Sequence, residues 1–242
     1  MNADATPPSP AATGAPRVVV HHLEKSRSQR VLWLLEELGV PYRLQLHPRD
    51  PATRLAPASL RALHPLGKAP LIELDGEVVA ESAHILETLA ETFEDVARGQ
   101  GLALIPPLRT PAHRRYRFWL HYAEGSLMNW LVMQLVFRNL PRQPMPFFVR
   151  PVARGLCQAV QQRLIQPNLS TALAYIDSQL AQSSWLAGEQ FTLADVQMAF
   201  AIEALVSLGD DGQAHPHVQA YLARVRARPA WQRALAQGGP LL

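Results

Sequence analysis

From residue 17 onward the apolar residues follow two rhythms in turn. Val18, Val19 and Val20 form a short β-branched run, which predicts a buried strand. Val31, Leu32, Trp33, Leu34, Leu35 and Leu38, broken only by Glu36 and Glu37, predict a helix. Ser26 and Ser28 stand before it, and Gly39 and Pro41 supply its stop. Residues 42–46 alternate apolar and polar positions and predict a second strand. A proline-broken stretch follows, with a short helical piece near residues 58–63. Two apolar runs, 69–74 and 77–80, then flank Asp75-Gly76, a strong short-range hairpin signal. Glu81-Ser82 opens a further helix through residue 93. Strand, helix, strand, helix, hairpin, helix is the order of one α/β unit with a mixed sheet.

Residues 95–110 form a Gly/Pro-containing connection, and beyond it the rhythm is helical throughout. Thr110-Pro111 starts a long helix with proline in its first turn, running through Phe118, Trp119, Tyr122, Leu127 and Trp130 to about residue 140. Four prolines within residues 141–151 must interrupt the chain, and a second long helix spans 152–182. Thr192-Leu193-Ala194-Asp195 has capping-box spacing, with Asp where Glu or Gln is usual, and Phe191 and Val196 are placed as its hydrophobic staple. Shorter helices fill 215–237. The expected organisation is a disordered tail over 1–16, an α/β domain over 17–94, a Gly/Pro-containing linker over 95–109 and an all-helical domain over 110–242. No internal repeat is visible.

Composition narrows the class. Hydrophobic residues make up 48% of the 242 and charged residues 18%, the balance of a chain that buries a core. The formal charge is +3, but only Lys25 and Lys68 are lysines, so a lysine inside a motif stands out. The arginines are scattered, with one group at Arg114, Arg115 and Arg117 that reads as a solvated face. No dense basic stripe suggests a nucleic-acid partner. The tail carries four prolines and no basic residue, unlike a signal peptide, and no stretch is apolar enough to span a membrane. The lone Cys157 excludes an internal disulfide and reads as a small buried hydrophobe, so a reducing cytoplasm is the expected compartment.

Candidate chemistry gathers at the junctions of the α/β unit. At Ser26-Arg27-Ser28-Gln29-Arg30 a helix N-terminus presents free N–H groups and the positive end of its dipole, which favour an anion. A serine hydroxyl there adds a donor, or serves simply as an N-cap. In Gly67-Lys68-Ala69-Pro70-Leu71 the proline lacks a ladder N–H, so it belongs at a strand start. It enters either as a trans residue or as a cis bond that frees the Ala69 backbone for a peptide ligand. Glu81-Ser82 offers a hydroxyl and another helix N-terminus to a carboxylate, or an ordinary cap.

Together these segments resemble the glutathione transferases over essentially the whole chain from residue 17. The resemblance rests on Ser26 to Arg30 feeding residues 31–38, on Pro65-Leu66-Gly67-Lys68-Ala69-Pro70, on Glu81-Ser82 and on Phe191 to Asp195. Leu23-Glu24-Lys25-Ser26-Arg27-Ser28-Gln29-Arg30 is similar to the serine-type branch of bacteria and fungi. The resemblance implies a thioredoxin-like domain with glutathione as co-substrate and no metal, then a helical-bundle domain for a small hydrophobic electrophile. It implies that Ser26 donates a hydrogen bond to the thiolate, that Ala69, at a cis Ala69–Pro70 bond, pairs with the cysteinyl unit, and that Lys68 binds the glycyl carboxylate. Glu81 and Ser82 then receive the γ-glutamyl end, with His64 a further ligand contact.

His22 stands near where tyrosine-type relatives carry a phenol, which argues for a serine mechanism and leaves His22 as a loop residue or a donor behind the site. Ser28 rivals Ser26, but one or two residues into a helix its hydroxyl is expected to point to solvent. Tyr116, Phe118, Trp119, Tyr122, Met128, Trp130, Met133 and Phe137 divide between core and an apolar pocket, and Tyr122, Trp130 and Met133 are the pocket candidates. The surplus apolar surface of helix 110–140 suggests a homodimer. The implied activity is glutathione conjugation. Hydroperoxide reduction by the same thiolate, or a binding protein of this fold without turnover, are the alternatives.

Overall fold

The computed structural model describes residues 17–51, 53, 55–208 and 214–241. The expected disordered tail over 1–16 lies outside the described residues. The first domain runs β1 (Val18–Leu23), α1 (Gln29–Leu38), β2 (Tyr42–His47), α2 (Ala58–Leu63), β3 (Leu71–Leu74), β4 (Glu77–Ala80) and α3 (Ser82–Thr92). The sheet order is β2-β1-β3-β4, with β1 parallel to β2 and antiparallel to β3. This is a thioredoxin-like mixed sheet. Asp75 at φ 52 and Gly76 at φ 90 make the tight β3–β4 turn, whose two left-handed residues match the strand twist. Gly39 closes α1 in the left-handed region, its N–H and that of Val40 bonding the Leu35 carbonyl. The Ala69–Pro70 peptide bond is cis.

One stretch departs from the expected linker. Residues 94–99 form α4 (Glu94–Gly99), with Glu94 and Asp95 in its first turn and Arg98 reaching back to both at 2.6 and 3.1 Å. The Gly/Pro content of the region hid this turn of helix, whose charge order suits its dipole. The second domain comprises α5 (Pro111–Tyr122), α6 (Met128–Asn139), α7 (Arg150–Val160), α8 (Gln166–Leu180), α9 (Leu193–Leu208), α10 (Pro216–Ala227) and α11 (Pro229–Gly238). The two long helices read from the sequence are each interrupted by a π turn, at Ala123–Leu127 and Gln161–Ile165. Among the described residues no helix is long and apolar enough to cross a membrane.

The two domains share one core. Trp33 of α1 is fully buried, edge-on to Trp231 of α11 at 4.7 Å and tilted against Phe191 at 5.4 Å. Arg228 grips Glu37 with two bonds of 2.6 and 2.8 Å, and Arg233 holds Glu36 at 2.7 Å, so α11 is clamped along α1. Thr110 caps α5, its hydroxyl accepting from the His113 N–H at 3.1 Å. Asp195 is buried at the start of α9 and accepts from the Thr192 and Leu186 N–H groups at 2.9 and 3.0 Å. That is the back-reaching half of a capping box, extended to a second strand of chain. Cys157 is buried on α7, and Arg114, Arg115 and Arg117 are exposed.

Candidate functional site

Strand register alone gathers the candidate residues at one end of the sheet. The β1–β3 register ends at His21 opposite Leu71, and beyond it Ala69 packs against the cluster of Leu23, Leu60 and Leu71. The β3–β4 register ends at Leu71 opposite Ala80, one residue before Glu81 and the start of α3. The loop carrying Ser26, the Lys68-Ala69-Pro70 turn and the start of α3 therefore meet there, with the N-termini of α1 and α3 both directed at it. The leading N–H groups of α1 already bond the Ser26, Arg27 and Ser28 carbonyls and Ser26 Oγ, so α1 contributes the positive end of its dipole, and the two helix starts together favour an anionic ligand.

Three of these side chains have no partner among the described residues. Lys68 is exposed and forms no ion pair among the described residues. Glu81 caps α3 at φ 72 and ψ 128, a strained backbone for a non-glycine residue, and its side chain makes no capping bond. Ser82 is buried, and among the described residues no partner engages its hydroxyl. Ala69 packs against Leu23 and Leu71, outside the ladder that begins at Leu71. His64 ends α2, half-buried, and its Nδ1 accepts weakly from the Leu66 N–H at 3.4 Å.

The Ser26 loop is built more tightly. Lys25 turns the chain at φ 50, and Arg49 donates to the carbonyls of Glu24 and Lys25 at 3.2 and 3.0 Å. Arg49 lies outside every motif, so nothing in the sequence marks it as a brace. Ser26 is half-buried, and its Oγ accepts from the Ser28 N–H at 3.2 Å, a local hydroxyl turn. Ser28 does not point to solvent as the sequence suggests. It is fully buried, its Oγ 2.8 Å from Ser26 Oγ and 2.9 Å from His22 Nδ1. The Ser26 turn rolls the start of α1 so that Ser28 faces β1. Of the two serines Ser26 is the less buried, and Ser28 and His22 lie deeper. Burial lowers the pKa of His22, and its Nε2 donates to the Gly238 carbonyl at 2.9 Å.

Two other polar groups hold the frame. On the opposite face of β1, His21 meets His47 at 3.1 Å and Glu73 at 2.8 Å, while His47 reaches Ser59 of α2 at 3.0 Å. This chain ties α2, and hence the turn it leads into, to the sheet. Arg30, one turn along α1 from Ser26, is 1% exposed, pairs with Glu124 of the π turn and lies over the Phe200 ring at 5.3 Å. Burial works against the Arg30 charge and Glu124 supports it.

The pocket candidates are not brought to Ser26 by any contact. Tyr122 stacks on Phe118 at 5.4 Å and meets Trp119 and Tyr175, which occupies its ring within the second domain. Trp130 and Met133 are partly buried against the core. Two open clefts, of about 300 Å³ beside His217 and Arg224 and about 440 Å³ beside Tyr42 and Arg233, lie away from the site residues.

Known proteins agree in family. Residues 26–92 match the model of the glutathione S-transferase N-terminal domain, and residues 164–229 match that of the C-terminal domain. Glutathione S-transferase 3 of Schizosaccharomyces pombe is 34% identical over 214 residues, covering 88% of this chain and 84% of its own. A crystal structure of a glutathione S-transferase from Actinobacillus pleuropneumoniae superposes with a TM-score of 0.72 at 26% identity, over 93% of this chain and 94% of its own. A sphingomonad glutathione S-transferase complexed with glutathione shares the fold, with a TM-score of 0.68 at 22% identity over 91% of this chain and 98% of its own.

Proposed function

The chain belongs to the glutathione S-transferase family, and on that premise we propose that its site binds glutathione, ionises the thiol and joins the sulfur to a small hydrophobic electrophile. The observation that carries this reading is the single sheet end where a reachable Ser26 hydroxyl, the Ala69 backbone and the unpartnered Lys68, Glu81 and Ser82 meet two helix N-termini.

Each group has a role that its chemistry allows. A free thiol resembles cysteine, with a pKa near about 8.5, and attacks only as thiolate. Ser26 and the N-terminal end of α1 stabilise that anion. Lys68 binds the glycyl carboxylate as a point charge. Ala69 pairs its main chain with the cysteinyl unit, and Ser82 with the start of α3 takes the γ-glutamyl carboxylate while Glu81 faces the ammonium. The electrophile lies towards the second domain, with Trp130 and Met133 as pocket candidates. We read the protein as a cytoplasmic homodimer. Support for the dimer comes from Val132, Leu135 and Val136 of α6, apolar side chains left 44–52% exposed.

The test is retention on immobilised glutathione, followed by turnover with a chloronitrobenzene and with cumene hydroperoxide. Retention with conjugation supports the reading. Retention with hydroperoxide turnover alone makes the protein a peroxidase, and absence of retention overturns the site.

A further inference from the structure

Behind Ser26 a row of polar groups ends on an imidazole, and its hydrogen bonds have only one consistent direction in the neutral state. His22 Nε2 faces the Gly238 carbonyl oxygen at 2.9 Å, and a carbonyl can only accept, so Nε2 carries the proton. Nδ1 of the neutral ring is then an acceptor, and the Ser28 hydroxyl, 2.9 Å away, donates to it. The rival acceptors for that hydroxyl are the Leu23 carbonyl at 3.3 Å and Ser26 Oγ at 2.8 Å, and donating to either would leave the buried Nδ1 without a donor. Ser28 Oγ in turn accepts from the Leu23 N–H at 3.2 Å, and its remaining lone pair faces Ser26 Oγ at 2.8 Å. The Ser26 proton therefore points inward. Ser26 turns an open lone pair, not a proton, towards the ligand, and a thiol arriving there meets an acceptor.

We propose that His22 is the proton acceptor of the site, receiving the thiol proton through the hydroxyls of Ser26 and Ser28; this rests on the reading that the glutathione sulfur lies at Ser26. In the step the S–H bond breaks as a proton passes to Ser26 Oγ, the Ser26 proton passes to Ser28 Oγ, and the Ser28 proton passes to His22 Nδ1. Both hydroxyls end neutral. The products are a thiolate that accepts from Ser26 O–H and an imidazolium held by Ser28 and Gly238. One proton has crossed the relay and the complex has gained no net charge.

The surroundings suit a base that is neutral at rest and charged only while a thiolate is present. His22 is 2% exposed, and burial together with His47 on β2 disfavours its cation. From α1 it faces Ser28, and Gln29 lies close by. From α11 it faces the last carbonyl of the helix, at the negative end of the helix dipole. Gly238 lets that helix end approach, since a Cβ there would fall 3.0 Å from His22 Cε1 and 2.3 Å from Gln29 Oε1. Helix end and thiolate together offset the cost of burying the imidazolium.

A thiol that ionises to solvent releases one proton per thiolate, whereas one that ionises to His22 releases almost none. The experiment is calorimetry of glutathione binding at pH 7 in buffers of different ionisation enthalpy, beside the thiolate absorbance of the complex. Wild type is expected to form thiolate with little proton release. His22→Gln keeps a donor for Gly238 but cannot take up a proton. It is expected to release a full proton per thiolate, to lower the thiolate fraction at pH 7 about tenfold or more, and to leave glutathione affinity within a few-fold. Ser28→Ala breaks the middle link with a smaller change and should do the same if His22→Gln folds poorly. Full proton release by wild type, with the thiolate titration unmoved in both variants, overturns the relay. Ser26→Ala separates the two ideas. If it shifts the thiolate titration while His22→Gln and Ser28→Ala do not, sulfur sits at Ser26 and the relay is wrong. If it shifts nothing, the placement of the sulfur falls and the relay with it.

Discussion

Ser26 and Ser28 are two residues apart and chemically identical, yet they occupy opposite sides of the loop that joins β1 to α1. Their separation into a reachable and a buried hydroxyl is set by the turn at Lys25, by Arg49 from beyond β2 and by His22 from inside the sheet. The brace from Arg49 acts from 25 residues away and leaves no mark in the local sequence. The two serines were legible in the sequence as rival candidates, but the burial of Ser28 and its turn towards His22 were not. Lys68 was easier to single out, because lysine is scarce in an arginine-rich chain and this one sits in a motif. With no partner of its own, its loss should act on ligand alone. Lys68→Ala is expected to weaken glutathione binding roughly tenfold, at the low end of the 1.5–3 kcal/mol for a hydrogen bond to a charged group because the side chain is exposed. Titration of glutathione against intrinsic fluorescence measures this, and turnover at saturating glutathione should stay close to wild type.

Elements whose signals are local came through the sequence well. The valine run, the Asp75-Gly76 turn and the Gly39 stop each act over a few residues, and each forms the element it predicts. The π turns at Ala123–Leu127 and Gln161–Ile165 were hidden, because an extra residue in a helical turn leaves the apolar period nearly intact. One of them matters for the site, since it carries Glu124 to Arg30. The start of α9 offers a cleaner test of element-scale reasoning. Asp195→Ala removes the acceptor of two buried N–H groups, Leu186 and Thr192, and of the Thr192 hydroxyl. An orphaned buried donor costs about 1–3 kcal/mol, so the variant should lose roughly 2–4 kcal/mol in denaturant unfolding. A loss under about 0.5 kcal/mol, the size of an ordinary surface change, would show that α9 does not depend on this cap.

At the scale of the molecule, the second domain completes the first. The α11 helix covers α1, its last carbonyl sits on His22, and Glu124 neutralises Arg30 through Nη1, while Arg30 Nε and Nη2 have no hydrogen-bond partner among the described residues. Such contacts between residues 94 to 216 positions apart leave no trace in periodicity, which is why the sequence separates two domains but not the interface between them. Glu124→Gln should cost about 1–3 kcal/mol, since Glu124 is one-third exposed and the stranded Arg30 is not. Adding Arg30→Met should recover part of that loss in the same unfolding assay, because an apolar chain of similar volume needs no counter-charge. Sedimentation should give twice the chain mass of 26.8 kDa. The claim that joins these scales is that the fold exists to present one reachable hydroxyl to a bound thiol. Its most direct test is the pH titration of thiolate absorbance in the glutathione complex of wild type and Ser26→Ala. The account predicts that the mutant midpoint rises by about one to two pKa units, the equivalent of a lost hydrogen bond to a charged group, with glutathione affinity within a few-fold of wild type. Coincident titration curves for the two proteins would contradict it.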